Sequence, residues 1–230
     1  TGGPTLATPG PLPKETPVHA YQHDFIRYAI DCNVLRFGDF TLKSGRRSPY
    51  FFNTGLFDTG ARLDRLGQFY AEALLQAGIQ ADVLYGPAYK GIPLACTTAI
   101  ALSRKTGREV PFAFNRKEAK DHGEGGMLVG SPLHGNVLIL DDVITAGTSV
   151  RESVEIIRTA GATPCGVLIA LDRQEKGLGA RAAVEEVAAT YQTPVHSIIN
   201  LGNIIDFLAA AGEDDRLAAI RQYRAESGWA

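Results

Sequence analysis

Residues 137–153 read VLILDDVITAGTSVRES, and the order of residue types in this stretch decides the fold. Val137, Leu138, Ile139 and Leu140 make a short, continuous, branched apolar run, as in a strand buried on both faces of a parallel sheet. From Thr148 the apolar spacing turns helical, so the strand passes into a helix through Asp141, Asp142, Val143, Ile144 and a turn of small residues. Thr145, Ala146, Gly147, Thr148 and Ser149 leave the backbone N–H groups of that turn open to an anion, and their hydroxyls add donors at the helix N-terminus. A phosphomonoester fits there. Asp141 and Asp142 would raise each other's pKa if left uncompensated, so they point to outside partners such as sugar hydroxyls or a hydrated Mg2+. Taken singly, the acids can just end a strand and Thr148 or Ser149 can just cap a helix. Together they describe a grip on a ribose phosphate. No Gly-Lys-Ser/Thr closes the turn, which separates it from a Walker A loop.

Outward from this stretch, helical patterns alternate with short apolar strands. The spacing predicts a helix over 18–32, a hairpin over 39–53, a helix over 61–77, a strand over 82–86 and a helix over 91–106. A strand over 111–114, a Gly-rich polar loop to about 131, the 137–141 strand with its helix to 160, and a strand over 165–171 come next. A helix, a strand and two terminal helices complete the chain. This alternation means an α/β protein with a mainly parallel sheet flanked by helices, and ligands beyond the carboxyl ends of the strands. Residues 1–17 (TGGPTLATPGPLPKETP) lack periodicity. They are expected to be a disordered extension or an expression remnant, leaving 18–230 as a single domain.

Composition narrows the function classes. The 230 residues are 45% hydrophobic and 21% charged, which suits a soluble enzyme with one sizeable core. A net charge of −2 gives no overall electrostatic footprint for nucleic acid. Cys32, Cys96 and Cys165 are far apart and odd in number, so neither a disulfide framework nor a zinc site is expected, and a cytoplasmic setting fits. No apolar run approaches the roughly 18 residues that span a bilayer. His19, His23, His134 and His196 share no ligand-like spacing.

Two further segments carry chemistry. Residues 82–94 (DVLYGPAYKGIPL) again run from a strand through a Gly-Pro turn into a helix. Lys90 falls near the start of that helix, where the macrodipole disfavours a cation, so an arriving anion such as a diphosphate would make sense of it; a solvated turn Lys is the plain alternative. Residues 115–126 (NRKEAKDHGEGG) hold Arg116, Lys117, Lys120 and His122 and then a run rich in glycine. Charge runs usually mark a solvated face, and Glu118, Asp121 and Glu124 leave little net charge. Departure of pyrophosphate from a sugar needs positive charge and exclusion of water, which cations on a closing loop would supply.

With these segments in view, residues 18–230 resemble the bacterial orotate phosphoribosyltransferases, of the type I phosphoribosyltransferase family. The resemblance rests on FTLKSGRRSPYFFN, GPAYKGIP, FNRKEAKDHGEGG, LDDVITAGTSVRES and LDRQEKG, in family order and without a departure at a motif position. It implies the type I fold, with a small N-terminal hood and a mobile lid loop. It implies transfer of the phosphoribosyl group of 5-phosphoribosyl 1-diphosphate (PRPP) to orotate, with Mg2+ held mainly by PRPP and water near Asp141 and Asp142, and a homodimer whose lids act across the interface.

By the same resemblance Lys43, Tyr89, Lys90, Arg116, Lys117, Lys120, His122, Asp141, Asp142, Val143, Ile144, Thr145, Ala146, Gly147, Thr148 and Ser149 bind PRPP. Lys120, His122 and Arg116 take catalytic roles, and Phe51, Phe52, Thr145 and Arg173 hold orotate. Orotate is a flat anion, so an aromatic wall and a guanidinium gripping its carboxylate match its chemistry. Successive strand side chains point to opposite faces, so one of Phe51 and Phe52 is expected to touch the base while the other packs inward. Two other readings stay open: a transferase for an uncarboxylated base, which would not need Arg173, and a PRPP-sensing regulator, which would carry an added binding domain or a basic face.

Overall fold

The computed structural model describes residues 19–42, 45–120, 126–144, 147–177, 179 and 181–226, without the side chains of 119, 120 and 126. In chain order the elements are α1 (Ala20–Asp31), β1 (Leu35–Thr41), β2 (Arg47–Phe52), α2 (Gly60–Gln76), β3 (Val83–Gly86), α3 (Gly91–Thr106), β4 (Phe112–Lys120) and β5 (Gly126–Gly130). β6 (Asn136–Asp141), α4 (Thr148–Thr159), β7 (Thr163–Asp172), α5 (Ala183–Tyr191), β8 (Val195–Asn200), α6 (Leu201–Ala211) and α7 (Asp214–Glu226) follow. Six strands form one sheet in the order β5-β4-β3-β6-β7-β8. β4, β3, β6, β7 and β8 run parallel, and β5 is an antiparallel edge.

The apolar strand runs divide between the two faces of this sheet. Leu84, Leu138, Leu140, Leu168 and Ala170 enter a core shared with α1, α2, α3, α6 and α7. Val83, Tyr85, Val137, Ile139, Val167 and Ile169 enter a second core beneath α4 and α5. Burial on both faces makes every position in these strands apolar, which is why they read as continuous runs instead of alternating ones. Full burial of each such Val, Leu or Ile contributes about 1.5–3 kcal/mol. α2 shows the helical counterpart: Leu66, Phe69, Tyr70, Ala73 and Leu74 recur at helical spacing on its buried face. The Thr59 hydroxyl caps its first turn by accepting from the Arg62 N–H at 3.3 Å.

β1 and β2 form a separate antiparallel ribbon. Phe25 of α1 packs edge-on against Phe52 and Phe69, while α7 buries Leu217, Ile220 and Tyr223. The Tyr223 ring meets Tyr50 of β2 edge-on at 6.1 Å. α1, the ribbon and α7 thus form a hood, which reaches the ends of β6 and β7 through Thr54 and Ser48.

Two expectations need correction. The hairpin begins at Leu35, not 39, because Leu35 and Phe37 already pair with Phe52 and Tyr50. The polar loop predicted to about 131 is largely strand: β4 continues to Lys120 and pairs with β5. Past Phe114 this ribbon borders only one other strand, and its charged residues need not alternate with buried ones, so no period-two pattern marks it. Residues 1–18 and 121–125 lie outside the described residues, and with them the expected N-terminal extension and the centre of the expected lid.

Candidate active site

β3 and β6 are neighbours in the sheet, so the two strand-to-helix turns singled out in the sequence open side by side. Gly86 and Gly91 allow the first of them. A Cβ on Gly86 would collide with the Gly91 carbonyl, and one on Gly91 would lie 2.5 Å from Pro87 Cδ. This closeness brings Lys90 to the head of α3, where its Nζ donates to Asp142 Oδ2 at 2.6 Å. Asp142 Oδ2 also accepts from the Thr54 hydroxyl at 2.9 Å, and Oδ1 from the Val143 N–H at 3.0 Å. Asp141 accepts from the Ser149 hydroxyl at 2.8 Å and from the Asp142 N–H at 2.9 Å.

The two acids therefore have partners within the chain, whereas their sequence pointed to partners outside it. The cation at the head of α3 likewise faces an internal anion. Both acids are buried, and burial pushes the Asp141 carboxyl up to about 6; Ser149 and the Asp142 N–H oppose the rise, and the Asp142 charge adds to it. The backbone is fixed as well, because the buried Tyr70 hydroxyl donates to the Asp141 carbonyl at 2.7 Å. Gly147 starts α4 with φ of 70°, a conformation that L side chains rarely adopt. Val143 is half-buried and Ile144 buried, both packed into the two cores.

Tyr89 is 71% exposed beside the Lys117 ammonium, which stands 5.6 Å from its ring centre. Asn115, on β4, accepts from the Ala88 N–H at 2.9 Å and so ties the first turn to the root of the ribbon. A cavity of about 150 Å³ between that turn and α4 is lined by Asn115, Lys117, Thr148 and Ser149, among others. Arg116 lines a larger groove of about 760 Å³ between the ribbon and α4, with Met127, Leu128 and Ile156.

On the hood side, Arg173 follows β7 and is mostly buried. Its Nε donates to Glu175 Oε1 at 2.7 Å, and its guanidinium carbon lies 4.4 Å from the centre of the Tyr50 ring. Phe52 packs against Phe25 in the core, whereas Phe51 sits with Phe40 and Arg36 on the other side of the ribbon. One Phe inward and one outward is the expected alternation. Lys43, His122, Thr145 and Ala146 lie outside the described residues, and of Lys120 only the backbone is described. Sequence reasoning did not find Thr54, Tyr70, Asn115 or Glu175. Asn115 and Glu175 lay in quoted motifs close to residues already assigned, Arg116 and Arg173, whereas Thr54 and Tyr70 did not.

A family model described as Phosphoribosyl transferase domain matches residues 54–191. The orotate phosphoribosyltransferase of Methylococcus capsulatus is 66% identical over 213 residues, 93% of this chain and 100% of that protein. That of Pseudomonas aeruginosa is 60% identical over 212 residues, 92% of this chain and 100% of its own. Among solved structures, the orotate phosphoribosyltransferase of Francisella tularensis superposes with a TM-score of 0.81 at 38% identity, covering 88% of this chain and 98% of that one. The family model takes in both strand-end turns and Arg173 but leaves out the hood elements α1, β1, β2 and α7. Agreement with the full-length relatives runs on through that hood, and it makes this chain a member of the orotate phosphoribosyltransferase family.

Proposed function

We propose that this chain transfers the 5-phosphoribosyl group of PRPP to orotate, giving orotidine 5′-phosphate and pyrophosphate, a step of pyrimidine nucleotide synthesis. The observation that carries the reading is the Lys90–Asp142 pair, which joins the two strand-end turns on adjacent strands. One turn is suited to a diphosphate and the other to a ribose 5-phosphate, so the pair spans the two ends of PRPP.

The protein's task is positioning and charge stabilisation, with no covalent intermediate. A ring nitrogen of orotate forms the bond to the anomeric carbon as the diphosphate oxygen leaves, and the proton of that nitrogen passes to the departing diphosphate. Arg173, under the hood, holds the orotate carboxylate. Lys43, Tyr89, Lys90 and Lys117 hold the diphosphate, and Arg116, Lys120 and His122 of the lid cover it and exclude water that would hydrolyse the donor. Asp141 and Asp142 take the ribose hydroxyls, and Val143, Ile144, Thr145, Ala146, Gly147, Thr148 and Ser149 cradle the 5-phosphate at the start of α4. Thr145 and one of the two phenylalanines, Phe51 or Phe52, complete the base site.

The donor set suits Mg2+ in a particular way. No group of three or more His, Cys, Asp or Glu that could hold a metal occurs among the described residues. Asp141 and Asp142 are already hydrogen-bonded, so they offer hard oxygens to a cation that keeps most of its waters and rests on the substrate. When bound there, Mg2+ would neutralise diphosphate charge. No described helix is long and apolar enough to cross a membrane, and a cytoplasmic homodimer without nucleic-acid partners completes the proposal.

Absorbance of orotate mixed with PRPP, Mg2+ and protein tests it, with uracil and hypoxanthine in parallel. Loss of orotate absorbance that needs both PRPP and metal is the expected result. Consumption of another base, or PRPP binding without pyrophosphate release, overturns it.

A further inference from the structure

Glu175 is a half-buried carboxylate that none of the roles above uses, yet three groups from three parts of the chain converge on it. Oε1 accepts from Arg173 Nε at 2.7 Å and from the Tyr223 hydroxyl at 2.6 Å. Oε2 lies 3.3 Å from Arg46 Nη1. The backbone is arranged to allow this. The Gln174 N–H donates to Asp172 Oδ1 at 2.8 Å, and Gln174 adopts φ of 51°, so the chain turns at the end of β7. The Ala183 N–H then donates to the Glu175 carbonyl at 3.0 Å and fixes the far side of the turn. On the hood side, the Arg173 guanidinium rests over the Tyr50 ring, and Tyr50 in turn packs against Tyr223.

We propose that Glu175 is the positioning residue of the base site: anchored by Tyr223 of the C-terminal helix and Arg46 of the hairpin, it fixes the guanidinium of Arg173 for the orotate carboxylate. The inference rests on the function proposed above and adds how α7, the ribbon and β7 are coupled at that site. A second anion beside Arg173 competes with the substrate's carboxylate for its charge. Arg46 offsets that competition by setting a second guanidinium against the Glu175 charge. What remains is orientation: a guanidinium held at Nε and stacked on a ring gives up rotamer freedom before substrate arrives. Tyr223 acts through Glu175 and belongs to the same positioning set.

The test is steady-state kinetics of full-length wild type, Glu175→Ala, Glu175→Gln and Tyr223→Phe, with thermal melts of each. Glu175→Ala should raise the orotate KM about tenfold or more, the weight of a charge-assisted hydrogen bond, and leave the PRPP KM within about twofold. Glu175→Gln keeps an acceptor for Nε and should recover part of the loss. Tyr223→Phe should raise the orotate KM about threefold, as for one lost hydroxyl hydrogen bond, without moving the PRPP KM. A general structural role would move both KM values together. An unchanged or lower orotate KM in a folded Glu175→Ala enzyme overturns the inference while wild-type turnover of orotate keeps the function standing. Wild type that consumes no orotate overturns both.

Discussion

Asp141 is 8% exposed, and burial holds its carboxyl at about 6 against an ordinary value of 3.8. Between those values the folded chain binds more protons here than the unfolded chain. Stability from this group therefore falls as pH rises through the window and is lowest above about pH 6. Asp141→Asn removes the charge and keeps an acceptor for the Ser149 hydroxyl. It should stabilise the fold at pH 7.5 by on the order of 1–3 kcal/mol and much less near pH 4. Paired thermal melts at pH 4.5 and 7.5 check this, and equal shifts at both pH values would contradict it. Arg173→Ala tests the other half of the site: the orotate KM should rise by about tenfold or more while the PRPP KM stays within about twofold. Both residues were legible in the sequence, one as an acid at a strand end and the other through a family motif. Thr54 and Tyr70 were not, because each reaches its acid from 88 and 71 residues away and a lone hydroxyl carries no spacing signal.

Elements buried on two faces, such as β3, β6 and β7, could be read from their apolar runs because burial constrains every position. The β4–β5 ribbon could not, since beyond Phe114 none of its described side chains is fully buried. Its root is nonetheless tied to the site. Asn115 accepts from the Ala88 N–H and donates to the Arg116 carbonyl at 3.3 Å, so one side chain ties the turn before α3, proposed to take the diphosphate, to the start of the ribbon. Asn115→Ala leaves the Ala88 N–H without its acceptor, a cost of about 1–3 kcal/mol where water cannot replace it. The turn should loosen, with a PRPP KM about three- to tenfold higher and an orotate KM within about twofold. A change confined to the orotate KM would show that Asn115 serves the base site instead.

At the scale of the whole molecule, the proposed lid and the proposed base site of one chain need not serve the same reaction. Arg116 lines a groove between the ribbon and α4, apart from the hood where Arg173 stands. That separation suits the proposed homodimer, in which lid cations cover the neighbouring subunit's diphosphate. Lys120→Ala should lower kcat far more than it weakens PRPP binding, because a lid contact made mainly in the transition state adds little to the ground state. Mixing Lys120→Ala with Arg173→Ala chains then separates the two architectures. Consider a heterodimer with lids acting across the interface. One of its sites carries both substitutions, and the other pairs an intact lid with an intact base site. Random exchange of equal amounts makes half the dimers mixed, so about a quarter of wild-type activity should return at low orotate concentration. If each lid covers its own subunit's site, every site in the mixture carries one substitution and activity stays at the average of the two variants. Recovery after subunit exchange, absent when the variants are mixed without exchange, would therefore support both the dimer and the crossing of its lids.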